Sequence, residues 1–250
     1  MFTAAILLVL AVAAVAGAVA LVRWGMCRGA RPVERAMQMP GDDWFEGGPS
    51  TRVVMTRAVS FAKPPDRVWP WLAQLGRGAG WYSFDLLDNG GRASARRLVS
   101  WIPAPCPGDA TAVGYLRYLE QGSALVWWMA GEHFLGALAR MAFSIRLRSE
   151  GEGSRLVIRI SGDAAGRSAR LSLCLFAVMD SIMACRQLTG IKQRVEQYGP
   201  DGPPGDAPET GARDQYQFFH VIYASGEEAG VTGKETAAHW RQAAKDAGVI

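Results

Sequence analysis

The sequence predicts an α+β fold: a curved antiparallel sheet wrapped on one long C-terminal helix, set behind an N-terminal transmembrane helix. Three observations predict it. An uncharged apolar run, Phe2 to Val22, opens the chain. Segments with period-two alternation, joined at short glycine turns, fill the middle. A stretch from Ser168 to Tyr198 then returns to helical period for about thirty residues.

The first run is long enough to matter. At about 1.5 Å per residue it extends roughly 30 Å, the thickness of a bilayer's hydrocarbon core. Residues 1–24 are therefore expected to be a membrane anchor. Arg23, Arg28, Arg31 and Arg35 follow the run. By the positive-inside rule they hold that flank, and the body behind it, on the cytoplasmic face of the membrane. A cleaved signal peptide is the alternative, with Ala18 and Ala20 as small residues at a cleavage site. Against it, no Lys or Arg precedes the apolar run. Met26 before Cys27 argues against a lipoprotein. Residues 25–50 are expected to be a juxtamembrane linker, because "GDDWFEGGPS" (Gly41 to Ser50) has turn residues and acids but no period.

The body comes next. Thr51 to Ala62 alternates as a strand, with Met55, Val59 and Phe61 on one face and Thr56, Ala58 and Ser60 on the other. Pro64 and Pro65 end it and suit a helix's first turn, where an amide goes unpaired anyway. Val68, Trp69, Leu72 and Leu75 recur at helical spacing, and Pro70 confines or kinks that helix. Gly76, Gly78 and Gly80 break it, and Phe84 to Asp88 form a second short helical turn. Ala112 to Glu120 and Ala124 to Ala130 read as one hairpin, Ala142 to Glu150 and Ser154 to Ser161 as another. In the second hairpin Phe143, Ile145 and Leu147 oppose Ser144, Arg146 and Arg148. Leu156, Ile158 and Ile160 oppose Arg155, Val157 and Arg159 in the same way. One face is apolar and the other largely arginine, as in a sheet wetted on one side. The helix from Ser168 is apolar almost all round at first and charged later, so it is buried early and emerges late. Its uncharged run, Leu171 to Val178, is too short to span a bilayer, and Asp180 interrupts the apolar stretch. Residues 199–250 are a Pro/Gly-rich linker and an acidic, partly helical tail, with Thr232 as a cap before Lys234 to Ala247. These residues do not specify the tail's partner.

Composition bounds the function. The net charge is +4, but residues 51–200 hold 19 Lys/Arg against 11 Asp/Glu while residues 201–250 hold 4 against 8. A basic body favours an anionic neighbour such as lipid headgroups. The arginines are scattered, without a cluster or basic helix, so no nucleic-acid partner is expected. Four cysteines without a CxxC and three scattered histidines lack zinc spacing. No metal and no cofactor are expected. The chain has no nucleophile elbow, phosphate loop or dinucleotide fingerprint.

Within Lys63 to Leu87, "PP..VWPWL.Q.G.G.GWYS.D.L", together with "M....LTGIKQRVE" from Met183 to Glu196, resembles the SRPBCC superfamily. This START-like and Bet v 1-like group includes polyketide cyclase/dehydrase and lipid-transport relatives; the likeness is to its bacterial membrane-anchored members. It covers residues 51–198 and implies a helix-grip fold with an apolar cavity between sheet and helix. Lys63 stands where a small residue is expected. The expected ligand is a hydrophobic small molecule or lipid, bound beside the membrane without chemistry. Trp69, Trp71, Trp81, Tyr82, Tyr115 and Trp127 are the candidate ligand contacts, with Trp81 and Tyr82 as a lid on the glycine turn. A cyclase/dehydratase-type enzyme is the alternative, with Asp85 as its candidate catalytic group. A ligand-free interaction module with a filled interior is the third reading.

Overall fold

The computed structural model describes residues 2–49, 51–100, 102–111, 113–133 and 138–203. The expected tail helix lies outside the described residues. The helices are α1 (Phe2–Met26), α2 (Pro32–Ala36), α3 (Pro65–Ala73), α4 (Asp85–Asp88) and α5 (Ala169–Gln193), the last continuing in a π-turn at Arg194–Tyr198. The strands are β1 (Thr51–Phe61), β2 (Ala110–Thr111), β3 (Gly114–Glu120), β4 (Ala124–His133), β5 (Leu138–Glu150) and β6 (Gly153–Ala164).

The strands form one antiparallel sheet in the order β1-β6-β5-β4-β3-β2. The first strand closes on the last, Met55 lying opposite Ile160, and β6 leads directly into α5. Alternation sets which side chains meet. One row across the sheet runs Leu116, Trp127, Phe143, Ile160, Met55, and all five are buried in the main core with Phe176 and Leu188 of α5. Burying each such side chain stabilises by about 1.5–3 kcal/mol. Short α3 adds Val68, Trp69, Trp71 and Leu72 to the same core.

The next row runs Leu125, Ile145, Ile158 and ends on a charge, Arg57. Arg57 is fully buried. Its guanidinium lies 2.7 Å from the Asp180 carboxylate of α5. It also donates to the Gly25 carbonyl of α1 at 2.6 Å and to the Ser181 hydroxyl at 3.3 Å. One residue of β1 therefore fixes both long helices. The helices touch where Gly25 meets Ser181; a Cβ on Gly25 would come within 2.8 Å of the Ser181 Cβ. Just past the end of α1, Arg28 reaches the Cys185 carbonyl at 3.1 Å, one turn further along α5. From Ala16 to Leu21 α1 is exposed throughout.

The opposite face of the sheet departs from expectation. Residues 25–50 are not a free linker; residues 28–46 lie along the arginine face as a strap. Glu34 of α2 is fully buried there. Arg155 grips its carboxylate at 2.9 and 2.7 Å, and Arg148 adds a contact at 2.8 Å. Arg159 pairs with Asp42 and donates to the carbonyls of Met37 (2.8 Å) and Glu34 (2.9 Å). Arg140 donates to the Phe45 carbonyl at 2.7 Å. Trp44 and Phe45 pack edge-on against Trp128, with ring centroids 5.5 and 5.3 Å away. Gly29, at φ 71°, lets the strap meet the Ala58 carbonyl where any side chain would collide. Arg155 and Arg159 are buried against the chain's own acids and carbonyls, whereas Arg146 and Arg148, nearer the hairpin turn, stay exposed as expected.

These hydrogen bonds and cations pull the Glu34 carboxyl down to about 2 from 4.5. A depressed carboxyl stabilises the fold above its unfolded pKa, and that stability is lost as pH falls from about 4.5 toward 2. Glu34→Gln, which leaves Arg155 buried without its anion, is expected to cost about 3 kcal/mol in urea unfolding at pH 7, with the deficit shrinking below pH 4.5. A form lacking residues 1–21 is expected to keep the parent's cooperative melt. One lacking residues 1–48 loses the strap and should melt lower; equal melts would refute the strap's role.

Candidate functional site

A cavity of about 210 Å³ lies between α5, the sheet and the 81–88 segment. Trp81, Phe143, Ile160 and Phe176 form apolar walls, while Ser83, Asp88, Asp180 and Gln187 bring polar atoms. Leu87 and Met179 line it and are also exposed, at 69% and 41%, so they mark the mouth. A second, open groove of about 420 Å³ runs beside the strap between Arg35, Asp42, Arg52 and Arg159. Its Asp42 is already paired with Arg159, and its lining is polar, so the first cavity is the candidate site.

The glycine turn explains how Trp81 reaches the wall. Gly76, Gly78 and Gly80 all adopt positive φ, between 70° and 104°. The Trp81 ring lies directly against Gly76, where a Cβ would overlap it. Trp81 then meets Phe143 in a T-shaped contact at 5.9 Å. These glycines supply backbone shape and close approach. They do not make a lid. Gln187 of α5 donates to the Trp81 carbonyl at 3.1 Å, and the Tyr82 carbonyl lies against Gly190, leaving no room for a side chain there. Tyr82 itself is at φ 59°, strained for a tyrosine. Its hydroxyl takes a hydrogen bond from Gln74 at 2.7 Å, and Arg194 stacks over its ring at 4.1 Å. Burial pushes the phenol well above its usual range.

Of the expected ligand contacts, the structure brings only Trp81 to the cavity wall. Tyr82 is buried behind it, against Trp71 at 6.2 Å. Trp69, Trp71 and Trp127 are filled core away from the cavity. Tyr115 is on the other face of the sheet, packed with Val126, Trp128 and Phe45 under the strap. Period-two alternation allowed one of Tyr115 and Leu116 inside, and Leu116 took the place. Asp85 does not line the cavity; its carboxylate accepts from the Ser94 hydroxyl, which in turn accepts from the Tyr82 amide at 3.2 Å. That relay anchors the loop.

The carboxylates that do line the cavity are Asp88 and Asp180. Asp180 is matched by Arg57. Burial raises its carboxyl and the guanidinium opposes that rise. Both oxygens of Asp88 are buried without a hydrogen-bond partner. The nearby Ser83 hydroxyl gives its proton to the Met183 carbonyl at 2.8 Å. Burial, and then the like charge of Asp85, push the Asp88 carboxyl up to about 6, with weaker opposition from Ser83 and local amides. The sequence held a signal for it: Asp85 and Asp88 are three apart, on one side of a helical turn. Among the described residues no group of His, Cys, Asp and Glu is placed to hold a metal ion.

No family model and no curated protein sequence matches the chain. Among solved structures it is similar to Ara h 8.0201, at 12% identity over 56% of this chain and 98% of that one, with a TM-score of 0.35. It is also similar to a protein from Nitrosomonas europaea, at 13% identity over 59% and 95% of the two chains and a TM-score of 0.37. A third is DynU16, encoded in the dynemicin biosynthetic locus, at 18% identity over 62% and 51% and a TM-score of 0.34. Likenesses this distant bear on neither ligand nor chemistry, and the cavity is read from its own walls.

A raised carboxyl destabilises the fold above its unfolded pKa, so Asp88 opposes folding increasingly as pH rises from about 4 to 6. Asp88→Asn is expected to stabilise the protein by about 1–2 kcal/mol at pH 8 and by nothing measurable at pH 4. Urea melts at the two pH values check the sign.

Proposed function

We propose that this protein is a membrane-anchored binder of a small hydrophobic molecule, held in the cavity between α5 and the sheet. The observation that carries the reading is where the cavity opens. Its mouth, at Leu87 and Met179, sits in an exposed apolar face made by Leu86 of α4 and Leu171, Leu175, Val178 and Ile182 of α5. Soluble surfaces seldom expose so many large apolar residues together. The α1 helix docks on the same α5 and carries the uncharged run that leaves the domain. A bilayer would receive both. With Arg23, Arg28, Arg31 and Arg35 at its exit, α1 would hold the domain on the cytoplasmic side.

Volume narrows the ligand. Pockets for drug-sized molecules run about 300–1,000 Å³, so about 210 Å³ takes a small apolar molecule or one segment of a chain, not a whole diacyl lipid. Among the described residues, α5 with its π-turn, Ala169–Tyr198, has the length and apolarity of a bilayer span. It serves here as the core helix, with Asp180 paired to Arg57 and its inner side on the sheet. The cyclase/dehydratase reading loses its candidate, because Asp85 is engaged by Ser94 outside the cavity. The third reading needed a filled interior.

Ethylbenzene is expected to bind the form beginning at Val22 in calorimetry. Ala184→Phe, which places a ring in the cavity wall, should weaken it at least tenfold. Equal binding by both forms, or none by the parent, refutes the cavity reading. Independently, the full chain should stay in the membrane pellet after an alkaline carbonate wash; release into the supernatant refutes the anchor.

A further inference from the structure

The cavity has a polarity that the apolar reading leaves unexplained, and its polar atoms point to one kind of ligand. Ser83 spends its proton on the Met183 carbonyl, and Gln187 spends an amide proton on the Trp81 carbonyl. Asp180 is balanced by Arg57. That leaves Asp88, whose two oxygens are buried and complete no hydrogen bond, with only the weak pull of Ser83 and the amides of its own turn nearby. Asp85, three residues earlier on the same turn, acts on it with the same sign. The polar atoms left over in the wall are chiefly acceptors, and the charge left over is negative. A carboxylate in such a place calls for a cationic donor. We propose that Asp88 is the polar anchor of the site and that the ligand is a small apolar amine, bound as its ammonium with the hydrocarbon part against Trp81, Phe143 and Phe176. An ammonium offers three donors and no acceptor, which is what this wall lacks. It also relieves the repulsion between Asp85 and Asp88. An anionic head in the same position would meet both carboxylates. A neutral alcohol would supply one donor and leave the charge unmatched.

This inference rests on the cavity reading, and the experiment separates the two. The full chain in phosphatidylcholine nanodiscs is titrated at pH 7.5 with ethylbenzene, 2-phenylethanol, 2-phenylethylamine and 3-phenylpropanoate, against empty nanodiscs as blank. The amine is expected to bind at least tenfold more tightly than the propanoate. Asp88→Asn is nearly isosteric and relieves a buried unpaired charge, so it folds. In that variant the amine should lose at least tenfold, while ethylbenzene changes less than threefold. If ethylbenzene binds but amine and propanoate bind alike, or if Asp88→Asn leaves the preference intact, the amine assignment is wrong and the cavity stands. If none of the four binds, both fall.

Discussion

The buried ion pair between Arg57 and Asp180 is the constraint on which the rest depends. Arg57 occupies a sheet position whose neighbours along the row are Leu125, Ile145 and Ile158, so packing alone would place an aliphatic side chain there. A guanidinium so placed must be matched, because an uncompensated buried charge costs several kcal/mol. Asp180, Ser181 and the Gly25 carbonyl match it from two different helices. A buried pair is weak support for stability but can specify arrangement. Here it specifies which turn of α5 lies over β1 and where α1 meets α5. The cavity lies beside that turn, sharing Asp180 as a wall, so its shape follows from the same pairing.

The strap on the other face changes what a membrane anchor would do. A flexible linker lets a domain sample many orientations, and its contribution is an effective concentration. In this chain α1 ends at Met26, and from Arg28 onward the backbone is bonded to the sheet, beginning with the Ala58 amide donating to the Arg28 carbonyl at 3.0 Å. Little slack remains. Any surface that fixes α1 also fixes the domain, and the apolar face around Leu87 and Met179 is presented at one set angle. The strap and the cavity mouth thus belong to one arrangement, although they lie on opposite faces of the sheet.

Much of this fold was legible in the sequence because it depends on period. The alternation of residues 142–161 gave the right inward and outward sets, and the helical stretch from Ser168 was found within a few residues. The strap was not legible, because its bonds are mostly arginine to backbone carbonyl or to Glu34 and Asp42, and carbonyls carry no sequence signature. An arginine-rich strand face reads the same whether water or another segment covers it. The site was half legible for a related reason. Aromatic residues mark large buried surfaces, but they do so equally for filled core and for cavity walls, and Trp69, Trp71 and Trp127 are core. Trp81 differed only through its contact with Gly76, a tertiary fact. Asp85 is the nearer carboxylate to the aromatic run, so the sequence favours it over Asp88, although both sit on the same short turn.

A physical account of why the cavity persists must weigh its cost. Empty volume in a core destabilises by about 24 cal/mol per Å³, so a void of about 210 Å³ would cost roughly 5 kcal/mol if fully closed. The open mouth lowers that figure, since water can enter there. The unpaired Asp88 adds its own penalty at the same place. Together they are a sizeable part of the 5–15 kcal/mol by which domains are typically stable. Simple substitutions remove both: a larger residue at Ala184 fills the space, and Asn at position 88 removes the charge. Two separable costs concentrated in one cavity, each with an easy remedy, are hard to explain as packing, because neither supports the fold. They are what a binding site requires, a space without its filling and a charge without its partner, and a single ligand of matching size and opposite charge relieves both.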